Sequence, residues 1–265
     1  MGIIYSIIRF LCSKTQTEDE ESGRSQFLVH QPNHFFDIVT TLDNRTQWRV
    51  VVAAAVDDVR WIKHYSSRHR ILVVGDGDFS FSASLAVAFR TASNMTATSL
   101  DSLEFLKSNY GYAASNIDKL KSRGCQVMHE IDATVMASKK PFKDLKYDRI
   151  VFNFPFAGFY KSYSIKYQLF RHKGLVNQFM RNAREMISED GEIHISHKTN
   201  AFHIDWDLES IASLHRLRLI EAVKFNLGDY PGYHTKCWFG GDNYFNCNPS
   251  RTYKFGLVTT NVRSY

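Results

Sequence analysis

A doubly wound α/β fold with a mostly parallel sheet is what this sequence predicts, on three observations. Short apolar runs alternate with stretches of helical periodicity, which is the rhythm of strands covered by helices on both faces. The clearest run, Ile71 to Val74, is continuously apolar and stops at a glycine, as a strand buried on both faces should. Hydrophobic residues make up 44% and aromatics 14% of the 265 residues, enough to build a core and to exclude wholesale disorder.

Taken in order, the chain opens on MGIIYSIIRFLC, which is apolar and short. It lacks the basic start and small-residue cleavage site of a signal peptide. Gly2 and Ser6 instead match the myristoylation pattern, and Cys12 would supply the second acyl chain that stable anchoring needs. A loose apolar tail is the plainer alternative. Residues 15–25 are polar, carry the acidic run Glu18 to Glu21, and read as a solvated linker. The stretch from Val50 to Ile62 suits a helix or a strand equally.

After the strand at 71–74, Phe81, Leu85, Ala88 and Phe89 recur at helical spacing. Strands follow at 95–100, 126–131, 147–154 and 192–197, with a last one near 253–258. Helices are expected over 103–110 and 114–123, and from Leu208; Leu175, Val176, Phe179, Met180, Ala183, Met186 and Ile187 trace the strongest amphipathic helix. Residues 217–225 form a further apolar segment. This gives an N-terminal extension over 1–69, an α/β domain over 70–258 and a short tail over 259–265.

No apolar run reaches membrane-spanning length, so any membrane contact is expected to be peripheral, through an acylated N-terminus. The four cysteines (12, 125, 237 and 247) form no CxxC pair, which fits a reducing compartment. His234, Cys237 and Cys247 lack the tight ligand pairs of a zinc site, and no metal is expected. The formal charge of +6 leans towards a polyanionic partner.

Ligands of such sheets lie beyond the carboxyl ends of the strands, near the point where strand order reverses. The first strand ends in GDGDFSFS, residues 75–82. Gly75 and Gly77 allow a tight turn and close approach to a ligand, with Asp76 and Asp78 beside them, and the next helix would aim its first amides there. Ser80 stands where a dinucleotide fingerprint has its third glycine, so the match is partial. Asp101 follows the second strand, where a carboxylate meets ribose hydroxyls; Asp132 follows the third, where it could meet an adenine amino group. Together these indicate an adenosine-type cofactor.

The fourth strand ends in NFPF, residues 153–156. The cluster resembles the motif by which nitrogen-modifying methyltransferases hold a planar amide, and it favours S-adenosylmethionine over a nicotinamide. Asn153 offers hydrogen bonds, Pro155 stiffens the loop, and the Phe156 ring can stack on a base. Beyond it, Phe159, Tyr160, Tyr163, Tyr167 and Phe170 alternate with Lys161, Lys166, Arg171 and Lys173. Aromatics among cations suit single-stranded RNA; a core-facing aromatic stripe beside a solvated basic one is the equal alternative.

ILVVGDGDFSFS, ATSLDS, NIDKLKSRG, YDRIVFNFPFAGF, GEIHISHKT and YPGYHTK occur in that order between Arg70 and about Phe255. Together they resemble the eukaryotic, particularly plant, ribosomal RNA uracil-N3-methyltransferase family. The resemblance implies a Rossmann-like sheet of the class I methyltransferase type, S-adenosylmethionine as cofactor, and N3 of a uridine in large-subunit ribosomal RNA as acceptor. It implies a cofactor site at Gly75, Asp76, Gly77, Asp78, Asp101 and Asp132 and an acceptor site at Asn153 and Pro155, with Phe156, Lys161, Lys166, Arg171 and Tyr230 facing the RNA. Asp78, His197 or Lys198 could take the N3 proton, and the uracil must be unpaired or flipped to expose N3. The chain is expected in the cytoplasm or nucleolus, or tethered on the cytosolic side of a membrane if acylated.

Three departures stand out: Asp76 in place of the usual Glu, Phe156 in place of His, and HTKCWFGG after YPGY. They leave an alternative, a methyltransferase fold without catalysis that acts as a scaffold, membrane-tethered through Gly2.

Overall fold

The computed structural model describes three strands of the N-terminal region (26–29, 38–42 and 48–52) and residues 58–237 and 241–258. Gly2, Cys12, the acidic linker and the tail from 259 lie outside the described residues. The chain divides into two units, Met1–Asp58 and Val59–Tyr265. In the first, β1 (Gln26–Val29), β2 (Ile38–Leu42) and β3 (Trp48–Val52) pair antiparallel in chain order. The run WRVVV of β3 settles the first part of the ambiguous stretch as strand, in keeping with its β-branched residues.

The second unit begins at Val59, ahead of the Arg70 start expected from motif spacing. The reason is a short hairpin, β4 (Trp61–Ile62) and β5 (Tyr65–Ser66), that belongs to the core. Tyr65 is 1% exposed, and its hydroxyl lies 3.1 Å from Nδ1 of the buried His194. Nε2 of the same ring meets Glu192 at 2.7 Å. Burial lowers the His194 pKa to about 4, so the ring is neutral near pH 7. A carboxylate can only accept, so Nε2 carries the proton and the tyrosine donates to Nδ1.

Seven strands form the main sheet: β6 (Ile71–Val74), β7 (Met95–Thr98), β8 (Gln126–Met128), β9 (Tyr147–Asn153), β10 (Ile187–Lys198), β11 (Leu217–Lys224) and β12 (Ser250–Leu257). Their order is β11-β12-β10-β9-β6-β7-β8. Only β12 runs antiparallel to its neighbours. This is the class I methyltransferase arrangement, and it puts the reversal of strand order between β6 and β9. The GDGD and NFPF turns therefore leave the sheet side by side.

β6 shows why the sheet is covered on both faces. Ile71 and Val73 enter one core with Phe81, Leu85 and Phe89 of α1 (Ser80–Phe89), Leu106 of α2 (Leu103–Asn109), and Ile117 and Leu120 of α3 (Ala113–Lys121). Leu72 and Val74 enter the other with Val176, Phe179, Met180 and Ala183 of α4 (Ile165–Met186) and Ile211 of α5 (Leu208–Ser213). Alternate side chains of one strand thus serve two hydrophobic layers.

α4 starts ten residues before the amphipathic pattern does. Ser164 caps it by accepting from the Tyr167 amide at 3.2 Å. Its first inward positions are Gln168 and His172, both fully buried and both polar, so hydrophobic periodicity appears only from Val176 onward.

The turn after β6 is the tightest packed point of the sheet end. Gly75 has φ +62, and a Cβ built there would lie 2.8 Å from the Phe152 ring. Gly77 has nothing within 4 Å of an added Cβ. Gly75→Ala should therefore destabilise the fold by about 1–3 kcal/mol through left-handed strain and overpacking. Gly77→Ala should stay within about 0.5 kcal/mol. Urea unfolding of both variants checks this, and equal effects would contradict the packing argument.

Candidate functional site

The GDGD loop is fixed by its own carboxylates. The Asp76 amide donates to the Thr98 carbonyl of β7 at 2.9 Å. Its side chain turns beneath the loop and accepts from the Ser82 amide at 2.7 Å. Asp78 Oδ1 accepts from the Ser80 amide at 3.0 Å. Phe79, the residue before α1, has φ +62 and gives no side-chain cap, so these two aspartates serve the first turn instead. Two amides expected to face a ligand are thus taken by the protein itself. Asp76, expected at the cofactor, is a buried loop brace, and burial raises its pKa to about 7.

Asp78 differs. It is 1% exposed, and its Oδ2 has no hydrogen-bond partner. Asn116 of α3, which the sequence did not single out, donates to the Asp78 carbonyl at 3.0 Å and holds the loop from behind. Asp101 is half-buried beyond β7, and desolvation raises its pKa. Asp132 lies beyond β8, where Oδ1 accepts from the Thr134 amide (2.8 Å) and hydroxyl (2.7 Å). One of its oxygens is therefore engaged in its own turn.

The acceptor turn begins at Asn153, the last residue of β9, level with Ser196 of β10. Both amide atoms of Asn153 are buried without a partner. The next residue, Phe154, has φ +50; its amide donates to the Ser196 carbonyl at 2.8 Å. Its ring stands edge-on to Phe225 (5.2 Å) and Phe245 (5.4 Å). Pro155 is buried, and Phe156, 45% exposed, lies 5.1 Å from the His172 ring. The Phe156 ring thus forms part of the rim.

The three base candidates separate clearly. His197 is 3% exposed beside Trp206 (4.3 Å) and His203 (5.4 Å), and burial lowers its pKa to about 3. Such an imidazole stays neutral near pH 7 and is a poor proton acceptor, contrary to expectation. The Lys198 ammonium donates to the Asn246 carbonyl at 3.0 Å. Asp78 remains at the loop as described.

The aromatic stretch faces outward, which removes the core-facing alternative. Phe159, Tyr160, Tyr163, Tyr167 and Phe170 are all exposed, as are Lys161 and Lys166. Neighbouring rings follow one another at 5.3 Å (160 to 163), 4.8 Å (163 to 167) and 6.1 Å (167 to 170). Arg171 sits over the Tyr160 ring at 4.7 Å and donates to the Gly158 carbonyl at 3.5 Å. Gln168 ties this loop to α4 by donating to the Tyr160 carbonyl. Buried polar residues at helical spacing, Gln168 and His172, were the signal for that support. Tyr230 is a correction: it is 3% exposed, stacked on Phe225 (5.7 Å) and packed against Phe81 (5.1 Å), so it is core and cannot meet RNA.

The family model described as BMT5-like, rRNA (uridine-N3-)-methyltransferase, matches residues 72–237. The chain belongs to this family. It is 47% identical over 201 residues to an uncharacterized Arabidopsis thaliana protein, covering 74% of this chain and 96% of that one. It is 42% identical to heavy metal-associated isoprenylated plant protein 41 of Arabidopsis thaliana, over 75% of this chain but only 39% of that longer protein. Among solved structures it is similar to a TehB-like SAM-dependent methyltransferase from Corynebacterium glutamicum, with 14% identity and a TM-score of 0.43 over 72% of this chain and 80% of that one.

This rRNA methyltransferase uses S-adenosylmethionine, and the β6 loop fits that group. The space in front of Gly77 and the partnerless Asp78 oxygen face a ligand rather than the core.

Asp76 generates a pH prediction. Its folded pKa lies above the ordinary carboxylate value of about 3.9, at about 7. The folded state therefore binds more protons than the unfolded state between these values, and this contribution to stability falls as pH rises through that window. Asp76→Asn should flatten that part of the profile and gain stability relative to wild type above pH 7. Urea midpoints at pH 5 and pH 8 test it; an unchanged difference between the two pH values would contradict the assignment.

Proposed function

We propose that the chain transfers the methyl group to N3 of an unpaired uridine in large-subunit ribosomal RNA, with Asn153 holding the base. The observation that carries this reading is the Asn153 amide, whose donor and acceptor are both buried and both unpartnered. A buried polar group without a partner costs roughly 1–3 kcal/mol, so such a pair calls for a ligand. Uracil presents a carbonyl oxygen beside its N3–H, and the amide matches them with one donor and one acceptor.

S-adenosylmethionine, when bound, supplies an electrophilic methyl group. The protein's own part is positioning. The Gly75–Asp78 loop and Asp101 hold the donor, Asn153 and Pro155 orient the base, and the parallel pairing of β6 with β9 sets the two side by side. N3 gains the methyl group and releases its proton to solvent. Flanking nucleotides stack along Tyr163, Tyr167 and Phe170, with Lys161 and Lys166 at the phosphates.

Asn153→Ala should lower turnover by about 10- to 100-fold, the loss of roughly 1.5–3 kcal/mol in the transfer step. Its affinity for S-adenosylmethionine, measured by calorimetry, should stay within about twofold. Asp101→Ala should do the reverse, weakening the cofactor about tenfold through a lost charge-assisted contact. If the two variants lose cofactor affinity alike, the division of roles is wrong.

A further inference from the structure

The segment between β11 and β12 carries chemistry that the transfer step does not use. It returns over the cofactor end of the sheet and is pinned there at two points. The Ser80 hydroxyl accepts from the His234 amide at 3.2 Å and faces the His234 carbonyl at 3.3 Å. The Asp242 carboxylate accepts from the Gly111 amide, between α2 and α3, at 2.9 Å. Lys236 lies between these pins. Its side chain is only 4% exposed; Nζ meets Asp242 Oδ1 at 2.8 Å and stands 4.2 Å above the Tyr244 ring.

Opposite this lysine is the Asp78 loop. The aspartate is buried, Oδ1 is committed to Ser80, and Oδ2 has no partner. A carboxylate oxygen held out of water without a donor is costly, so the arrangement suits a cationic ligand group. Lys236 and Asp78 lie within electrostatic reach of each other, since the aspartate helps hold the ammonium charged. Asp242 occupies part of the ammonium, which has three donors, and its contacts in the structure are to the Asp242 carboxylate and carbonyl. Gly77, between Ser80 and Gly75, leaves open space where any side chain would project.

We propose that Asp78 and Lys236 form a two-ended clamp for a zwitterionic α-amino acid head group. Asp78 takes the ammonium and Lys236 the carboxylate. The clamp rests on the cofactor reading above and assigns it a part: it recognises the methionine end, while Asp101 serves the ribose. Asp78 is then a binding residue, not the base that accepts the N3 proton. The segment after Tyr233, where this chain departs from its relatives' usual pattern, thereby contributes to cofactor selection.

The test compares two ligands on the full chain by titration calorimetry. S-adenosylhomocysteine carries the head group; 5′-methylthioadenosine keeps the adenosine and thioether but lacks it. Lys236→Met and Asp78→Asn should each weaken S-adenosylhomocysteine about tenfold or more, and leave 5′-methylthioadenosine within about twofold. Lys236→Arg should retain most of the preference for S-adenosylhomocysteine, and Lys236→Gln replaces the methionine variant should that fail to fold. Equal weakening of both ligands would mean that Lys236 only holds the loop, and unchanged binding of both would mean that it does nothing; either result overturns the clamp. Wild-type protein that binds neither ligand would overturn the cofactor reading itself.

Discussion

The contact between Gly75 and the Phe152 ring is the constraint on which the rest of the site depends. β6 is buried on both faces, so it can leave the sheet only at its end, and it leaves in a left-handed turn directly against β9. A side chain at 75 would separate the two strands just where their loops diverge. With none there, the GDGD turn and Asn153 emerge from adjacent parallel strands, and donor and acceptor sites share one rim. Proximity is thus built into the sheet, before any loop contributes.

Around that rim the protein tolerates polar groups it could have satisfied. Most buried polar atoms in folded proteins find partners, so unpaired ones call for explanation. The partnerless atoms of Asn153 and Asp78 lie on the two loops that the sheet brings together. Nearby polar groups are handled differently: Asp76 is spent on the first turn of α1, and Gln168 on the Tyr160 carbonyl. The loops are therefore braced by one set of side chains and leave another set open for ligands. This separation of bracing from binding lets a rigid scaffold present unsatisfied groups in fixed positions.

Much of this was legible in the sequence because strand ends carry strong local signals. The buried run ILVV, the glycines after it and the Asn-x-Pro cluster report backbone requirements that few residues meet. What could not be read was direction. Asp76 and Asp78 are two residues apart, yet one points beneath the loop and the other towards the ligand space, a distinction set by tertiary packing. Tyr230 looked like a surface aromatic in a proline-glycine turn, but Phe81 and Phe225 enclose it. The early start of α4 was hidden because its inner face begins with Gln168 and His172 rather than aliphatic residues. The hairpin at 61–66 was missed for a similar reason: a single tyrosine, bonded to a buried histidine, ties it to the core.

The central claim is the position of methylation, and labelled nucleosides report it directly. Unmodified ribosomal RNA incubated with the purified chain and S-adenosylmethionine bearing a deuterated methyl group would be digested and analysed by mass spectrometry. The account predicts the label in 3-methyluridine, with the yield lost when the target strand is paired in a stable duplex. Label in a different nucleoside, or none at all from protein that binds the cofactor, would contradict it.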